Sequence, residues 1–155
     1  MEVRGLMIDP SSNNPIVILR DPESQVFLPI WIGLFEASAI QLGLESATSP
    51  RPRTHDLLAS VLRTLGSEVV KVVVADLRDQ TFYAVIHVRR DGQELEIDAR
   101  PSDAIALALR TGSPVFVARS VLEKAQVGGG SEDEHKRLKE LLESLDPEDL
   151  GKYEM

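Results

Sequence analysis

The sequence predicts an α+β protein: a single compact domain with a mixed, mainly antiparallel sheet packed by helices, plus a C-terminal helical appendage. Helix-like and strand-like segments follow one another without strict alternation, which is typical of this class. An Asp-Gly pair at residues 91–92 joins two such strand segments, a strong signal for an antiparallel hairpin. The length of 155 residues with 43% hydrophobic side chains suits one domain with a short appendage.

The first part of the chain predicts three strands followed by two helices. Apolar and β-branched residues recur at 3–8, 16–19 and 26–32, and turn-forming residues separate these segments. A helix is predicted from Leu34 to about Ser46. A second helix is predicted to be capped by Thr54 and to run to Leu65, with Gly66 ending it.

The Asp91-Gly92 hairpin has a register that the side chains specify. Residues 69–75 precede it and are too uniformly apolar for a one-sided strand, so a central strand is predicted there. If Asp91-Gly92 is the loop, the pairs run from Arg90 opposite Gln93 to Val85 opposite Asp98, matching apolar with apolar and basic with acidic residues. Arg89 and Glu94 should therefore be cross-strand neighbours.

The rest of the body, residues 1–127, predicts a helix, a short strand and a further helical turn. The helix begins either with Pro101 as its first residue or with Ser102 as its cap, and Gly112 ends it. The strand covers 115–117 and the helical turn 120–125. Residues 128–131 form a glycine linker, and 132–155 form an acidic segment with leucines at helical spacing. A capping box at its start predicts an amphipathic helix.

Charge is unevenly distributed over the chain, whose formal net charge is -8. Residues 131–155 hold four basic and nine acidic side chains, a net of -5, and the body holds 13 basic and 16 acidic ones, a net of -3. The balance argues against tight, extended nucleic-acid binding, yet permits weak, salt-sensitive phosphate contacts at a local site. The absence of cysteine excludes disulfides and thiol nucleophiles. Since no secretory signal or membrane-length apolar run is visible, a cytoplasmic protein is expected.

The first candidate site is the segment from Asp98 to Asp103, where a strand ends and a helix begins. Two carboxylates that converge could hold a hard divalent cation such as Mg²⁺, with Arg100 facing a phosphate. The alternative is structural: Ser102 or Asp103 caps the helix, and Arg100 pairs with one of the two carboxylates.

The second candidate site is the segment from Arg51 to Asp56, where two arginines on a proline-stiffened loop lead into a helix N-terminus. Histidine changes charge near neutral pH, so His55 is a candidate general acid or base. The alternative makes Asp56 a partner of the helix dipole and leaves His55 in solvent. Glu36, in the first turn of an earlier helix, is either a third metal ligand or another dipole-complementing residue.

Four segments together resemble the bifunctional nuclease domain family. They are LPIWIGLFEASAI (28–40), PRPRTHDLLASVL (50–62), TFYAVIHV (81–88) and DARPSDAIALALRTGSPVFV (98–117), in matching order and spacing over roughly residues 2–127. The resemblance implies a compact α+β domain that forms a homodimer and a nuclease activity, which in plant relatives cleaves both RNA and DNA. The candidate site residues come from their chemistry, not from the family.

Two functions follow as hypotheses. The first is a non-specific nuclease acting on RNA, DNA or both, assisted by Mg²⁺ or another divalent metal. Its predicted catalytic residues are His55, Asp56, Asp98 and Asp103; its phosphate-binding residues are Arg51, Arg53, Arg100 and Ser102; and its metal ligands are Glu36, Asp98 and Asp103. The second is a non-catalytic, dimeric binding or regulatory module for a protein or a small anionic ligand. In either case Trp31, Leu34 and Phe35 are candidates for the dimer interface.

Overall fold

The computed structural model describes residues 1–128, Lys136 and Glu140. In chain order the elements are β1 (Glu2–Ile8), β2 (Pro15–Arg20), β3 (Phe27–Trp31), α1 (Leu34–Leu44), α2 (Thr54–Thr64), β4 (Glu68–Arg78), β5 (Thr81–Arg90), β6 (Gln93–Ala99), α3 (Pro101–Thr111), β7 (Val115–Val117) and α4 (Arg119–Gly128). The predicted α+β class is confirmed. Helix α4 extends through Gly128, the first residue of the predicted linker. The leucine stripe predicted at 138–145 lies outside the described residues.

The strands form two sheets. One is antiparallel with the order β1-β2-β3, and the other has the order β6-β5-β4-β7. Strand β7 runs parallel to β4, while β5 pairs antiparallel with both of its neighbours. The mixed, mainly antiparallel pairing is as predicted, and the apolar run in β4 occupies an interior position in its sheet.

The hairpin of β5 and β6 has the predicted register. Its pairs run from Arg90 opposite Gln93 to Val85 opposite Asp98. Asp91 and Gly92 both have positive φ angles, 51° and 76°, as a two-residue turn between twisted strands requires. Arg89 Nη2 lies 3.5 Å from Glu94 Oε1, so the expected cross-strand pair is present.

Helix α3 is the most deeply buried helix of the described chain. Its buried residues are Pro101, Ser102 and 104–108, and residues 104–108 form one core with both sheets and α1. Small residues allow close packing here: a Cβ added at Gly43 of α1 would lie 3.0 Å from the Cβ of Leu109. Helices α1 and α3 therefore pack closely, and their ends can present side chains to shared surfaces.

Helix α2 starts one residue earlier than predicted. Thr54 is its first helical residue and Arg53 is its N-cap, so the prediction that Thr54 is the cap is wrong. The reason is that the carboxylate of Asp56 accepts a hydrogen bond of 2.9 Å from the backbone N–H of Arg53. At α3 the first alternative is correct, because Pro101 is the first helical residue and Arg100 the N-cap.

Arg110 joins three helices. Its Nε donates to Asp56 Oδ1 of α2 at 2.7 Å, its Nη1 to the carbonyl of Ala106 in α3 at 2.8 Å, and its Nη2 to the carbonyl of Ala39 in α1 at 3.0 Å. The side chain is only 10% exposed. Each guanidinium nitrogen thus binds a different acceptor away from bulk water.

Replacing Arg110 should destabilise the protein substantially. In Arg110→Ala, Asp56 loses its partner and two carbonyl groups lose a donor, so we expect the free energy of unfolding to fall by about 2–4 kcal/mol. Urea unfolding measures this. Arg119→Ala is the matched control, because Arg119 is exposed and has no ion pair within residues 1–128, and its effect should stay within about 0.5 kcal/mol. Equal unfolding midpoints for both variants would contradict the role of Arg110.

Candidate functional site

The first turns of three helices meet in a polar cluster, which consists of Glu36, His55, Arg100 and Asp103. Arg100 Nη1 lies 3.0 Å from Glu36 Oε1, and Arg100 Nε lies 2.8 Å from Asp103 Oδ2. His55 Nε2 lies 2.9 Å from Asp103 Oδ1, so the cluster is a continuous chain of contacts from His55 to Glu36.

The carboxylates occupy equivalent positions in their helices. Glu36, Asp56 and Asp103 are each the third residue after the N-cap of α1, α2 and α3, respectively. An acidic side chain there complements the helix dipole. The dipole role that the structural alternatives gave these carboxylates agrees with their positions. Two other parts of those alternatives are wrong, because Arg100 and not Ser102 or Asp103 is the N-cap of α3, and His55 is 13% exposed and contacts Asp103. The contacts between the helices add a shared cluster that no single helix start reveals.

Gly33 makes room for the side chain of Glu36. A Cβ built on Gly33 would overlap with Glu36 Oε2, which folds back over the N-cap. The φ of Gly33 is -81°, an angle that any residue adopts. An alanine here would thus displace the flexible end of the Glu36 side chain, and with it the carboxylate that binds Arg100, without straining the backbone.

The two charges at the centre of the cluster reinforce each other. Burial raises the pKa of the Asp103 carboxyl, but hydrogen bonds from Arg100 and His55 outweigh burial and hold that pKa below its ordinary value of 3.8. The same hydrogen bond to Asp103, together with the one to Glu36, raises the pKa of Arg100. Asp103 is consequently ionised at neutral pH and holds a permanently charged guanidinium.

The cluster borders an open cavity of about 570 Å³, called here the Arg100 cavity. It is lined by Asn14, 30–33, Glu36, 80–82 and 100–102. Ser102 is only 6% exposed, and its hydroxyl makes no hydrogen bond with another residue of the described chain. An unpartnered hydroxyl beside a guanidinium and a helix N-terminus is a suitable setting for an anion.

Trp31 forms part of the wall of this cavity and is held by the β1–β2 loop. Its Nε1 donates to Asp9 Oδ2 at 3.1 Å. Hydrogen bonds from Ser12, Ser11 and Trp31 lower the pKa of Asp9, so the acceptor is a carboxylate at neutral pH. Trp31 remains 51% exposed, with Leu34 and Phe35 also exposed beside it. These are the residues predicted for the dimer interface.

The structure brings some of the predicted site residues together and separates others. Glu36, Arg100 and Ser102 line the Arg100 cavity, whereas His55 and Asp103 contact it through Arg100. Arg53 and Asp56 line a different cavity. Arg51 is exposed and lines neither cavity. Asp98 pairs with Val85, on the face of β6 opposite Ile97 and Ala99, and makes no ion pair with a described residue.

The predicted metal ligands do not assemble within the described chain. Residues 1–128, Lys136 and Glu140 contain no group of three Asp, Glu or His side chains that could hold a metal ion. Glu36 and Asp103 bind different nitrogens of Arg100, so a cation lies between these two carboxylates already. The described residues therefore do not fit the predicted Glu36–Asp98–Asp103 metal site.

Comparison of the sequence with known proteins identifies a family. The sequence profile of the bifunctional nuclease domain matches residues 17–128, most of the chain. The chain belongs to the bifunctional nuclease domain family. An uncharacterized protein of Mycobacterium tuberculosis (strain CDC 1551 / Oshkosh) is 36% identical over 161 aligned positions, covering 97% of this chain and 96% of the relative. No helix among the described residues has the length and apolarity to span a membrane.

Two rice proteins are more distant relatives. Bifunctional nuclease 1 of Oryza sativa subsp. indica is 25% identical over 116 residues, which cover 73% of this chain and 35% of that protein. Bifunctional nuclease 2 of Oryza sativa subsp. japonica is 26% identical over 122 residues, with 76% and 38% covered. The chain thus corresponds to little more than a third of each plant protein.

The ion pairs of Asp103 should make stability depend on acid pH. A carboxyl whose pKa is lowered on folding contributes stability that is present above the unfolded value of 3.8 and is lost as the pH falls through the folded value. We expect Asp103→Asn to cost about 1–2 kcal/mol at pH 6, and we expect the difference from wild type to shrink steadily below pH 4.

Urea unfolding at pH 6, 4 and 3 measures the effect of Asp103. Asp98→Asn is the control, because Asp98 has no ion pair among the described residues and its replacement should leave the pH dependence unchanged. A difference between wild type and Asp103→Asn that is constant from pH 6 to 3 would rule out this linkage.

Proposed function

We propose that this protein hydrolyses phosphodiester bonds of RNA or DNA, without sequence preference, in the Arg100 cavity. Membership in the bifunctional nuclease domain family supports the reaction class. The observation that carries the location is that a guanidinium, an unpartnered hydroxyl and a carboxylate line one open cavity: those of Arg100, Ser102 and Glu36. Phosphate binding and proton transfer need these three kinds of group.

Arg100 binds the phosphate in this proposal. A guanidinium has five N–H donors, and Arg100 uses three of them for Glu36 and Asp103. Two donors on the terminal nitrogens remain for phosphate oxygens, and the side chain is 64% exposed. The hydroxyl of Ser102 and the first-turn N–H groups of α3 add neutral donors beside it.

Glu36 is the carboxylate that faces the cavity and is the proposed general base. It accepts the proton of the attacking water as the water oxygen bonds to phosphorus and the bond from phosphorus to the leaving ribose oxygen breaks. Glu36 then returns the proton to that oxygen, and Arg100 stabilises the charge that develops on the phosphoryl oxygens. Asp103 binds Arg100 from the other side, and His55 binds Asp103. Asp103 and His55 are thus positioning residues that fix the orientation of the guanidinium.

The predicted divalent metal is not assigned a step in this scheme. The described residues offer no group of three Asp, Glu or His side chains around Arg100. The dependence of cleavage on Mg²⁺ is therefore tested separately, by measuring cleavage with and without EDTA.

A second function is supported by the same contacts. Arg100 is paired with both Glu36 and Asp103, an arrangement that stabilises a fixed structure as well as a reactive one. Trp31, Leu34 and Phe35 expose apolar surface at the edge of the cavity, with Phe35 90% exposed. A dimeric, non-catalytic module that binds an anionic ligand beside a subunit contact would use both features.

Nuclease assays on single-stranded RNA and DNA at low salt test the proposal. We expect Arg100→Gln to lower cleavage by about 10²–10³-fold, because it removes the charge that stabilises the transition state. Asp103→Asn and His55→Gln should have smaller effects, of about tenfold, because they act through Arg100. Arg119→Gln removes an equal charge outside both cavities and should retain wild-type activity.

The same assay separates the two functions. The non-catalytic module would be supported by two results together. Binding of an oligonucleotide quenches the Trp31 fluorescence of the wild-type protein, and the oligonucleotide stays intact with and without added Mg²⁺. Cleavage that persists unchanged in Arg100→Gln would place the activity elsewhere.

Gly33 provides a second, independent test of Glu36. We expect Gly33→Ala to lower activity about as much as Glu36→Gln, because the new methyl group takes the space of the carboxylate. The double variant should be no less active than Glu36→Gln alone, as expected for two changes that act on one group. Additive losses in kcat/KM would show that Gly33 acts independently of Glu36.

A further inference from the structure

A second cavity, of about 310 Å³, lies at the other ends of α1 and α3 and is called here the Arg63 cavity. It is lined by Leu42, Gly43, Ser46, Ala47, Ser49, Arg53, Asp56, Ala59, Ser60, Arg63, Leu109 and Arg110. The two cavities share no lining residue. The Arg63 cavity is therefore distinct from the Arg100 cavity.

The charges in the Arg63 cavity do not cancel. Asp56 is its carboxylate, and both of its oxygens are engaged: Oδ1 by Arg110 and Oδ2 by the backbone N–H of Arg53. Arg110 uses all three of its nitrogens within the protein. Arg53 and Arg63 make no ion pair with a carboxylate within the described part of the chain, although Asp56 attracts Arg53 electrostatically. Three arginines and one carboxylate line the cavity, which leaves it with a net positive charge.

The polar groups around these charges are serine hydroxyls that can still donate a hydrogen bond. Arg53 Nε binds Ser49 Oγ at 3.0 Å, and Arg63 Nη2 lies 3.4 Å from Ser60 Oγ. A serine oxygen that accepts from arginine can direct its own proton to a third group. Arg53 caps α2 and Arg63 lies in its last turn, about 15 Å away along the helix axis, so both side chains must extend along the cavity to bind one phosphate. Guanidinium groups with adjacent hydroxyl donors suit phosphate oxygens, and they would repel a cation.

We propose that the Arg63 cavity is a binding site for a phosphate group, held by Arg53 and Arg63. Its volume is at the lower end of the range for small-ligand sites, which suits one phosphate with an attached sugar or base and not a duplex. The phosphate has two sources: a free phosphorylated compound, or a single strand whose flanking phosphate reaches this site. The site does not depend on phosphodiester cleavage in the Arg100 cavity.

Isothermal titration calorimetry at low salt tests the site, with inorganic phosphate, AMP and a 5′-phosphorylated single-stranded oligonucleotide as three separate probes. The titrations use wild-type protein and Arg100→Gln, so that binding in the Arg100 cavity is removed in the second. We expect Arg53→Gln and Arg63→Gln each to weaken phosphate binding about tenfold, and Arg119→Gln to change it less than about twofold.

The pattern across the probes identifies the source. Binding of phosphate or AMP indicates a free phosphorylated ligand, while binding of the oligonucleotide alone indicates a nucleic-acid strand. Arg63→Lys keeps the charge but loses the fork, and an intermediate affinity is expected. In NMR spectra, the side-chain Nε–H signals of Arg53 and Arg63 should shift on addition of the bound probe.

The proposal is overturned if none of the three probes binds to wild-type protein, or if Arg53→Gln and Arg63→Gln bind them like wild type. Urea unfolding of each variant shows that it is folded before titration. Because phosphate binding is measured without turnover, an inactive wild-type protein would count against the nuclease proposal and leave this one standing.

Discussion

The arrangement of the three helices depends on the buried side chain of Arg110. A guanidinium that is 10% exposed loses most of its hydration, and it is stable there because Asp56 and two backbone carbonyls replace the water. Those acceptors belong to α1, α2 and α3. The cost of burying the charge is offset only if all three helices hold their positions, so this contact couples their orientation.

Two neighbouring residues of α2 link Arg110 to the polar cluster. Asp56 is bound to Arg110 near the end of α3, while His55 is bound to Asp103 in its first turn. The start of α2 therefore spans much of the length of α3, and a rotation that released Asp56 would also withdraw His55. The position of Arg100 is thus linked, through Asp103 and His55, to the ion pair between Asp56 and Arg110.

The sequence predicted those features that arise from neighbouring residues. The β5–β6 register follows from charge and apolar matching across a two-residue turn, and it was predicted pair by pair. The contacts that build the site join residues far apart: 64 positions separate Glu36 from Arg100, and 71 separate Ala39 from Arg110. No local pattern encodes such contacts. Nothing in the sequence around Arg110 predicts its contacts with α1 and α2. Asp98 was expected to lie beside Asp103, but it pairs with Val85 on the face of β6 opposite Ile97.

The acidity of the chain and its arginine sites act over different distances. The net charge of -8 disfavours the approach of polyanions at long range, and this repulsion weakens as salt screens it. Hydrogen bonds from guanidinium groups act only at contact, where their planar geometry is matched by phosphate oxygens. Under the proposals made above for the two cavities, this combination would disfavour extended nucleic-acid surfaces and favour short single-stranded segments, because these can enter cavities of 310–570 Å³ and reach the unpaired donors of Arg53, Arg63 and Arg100.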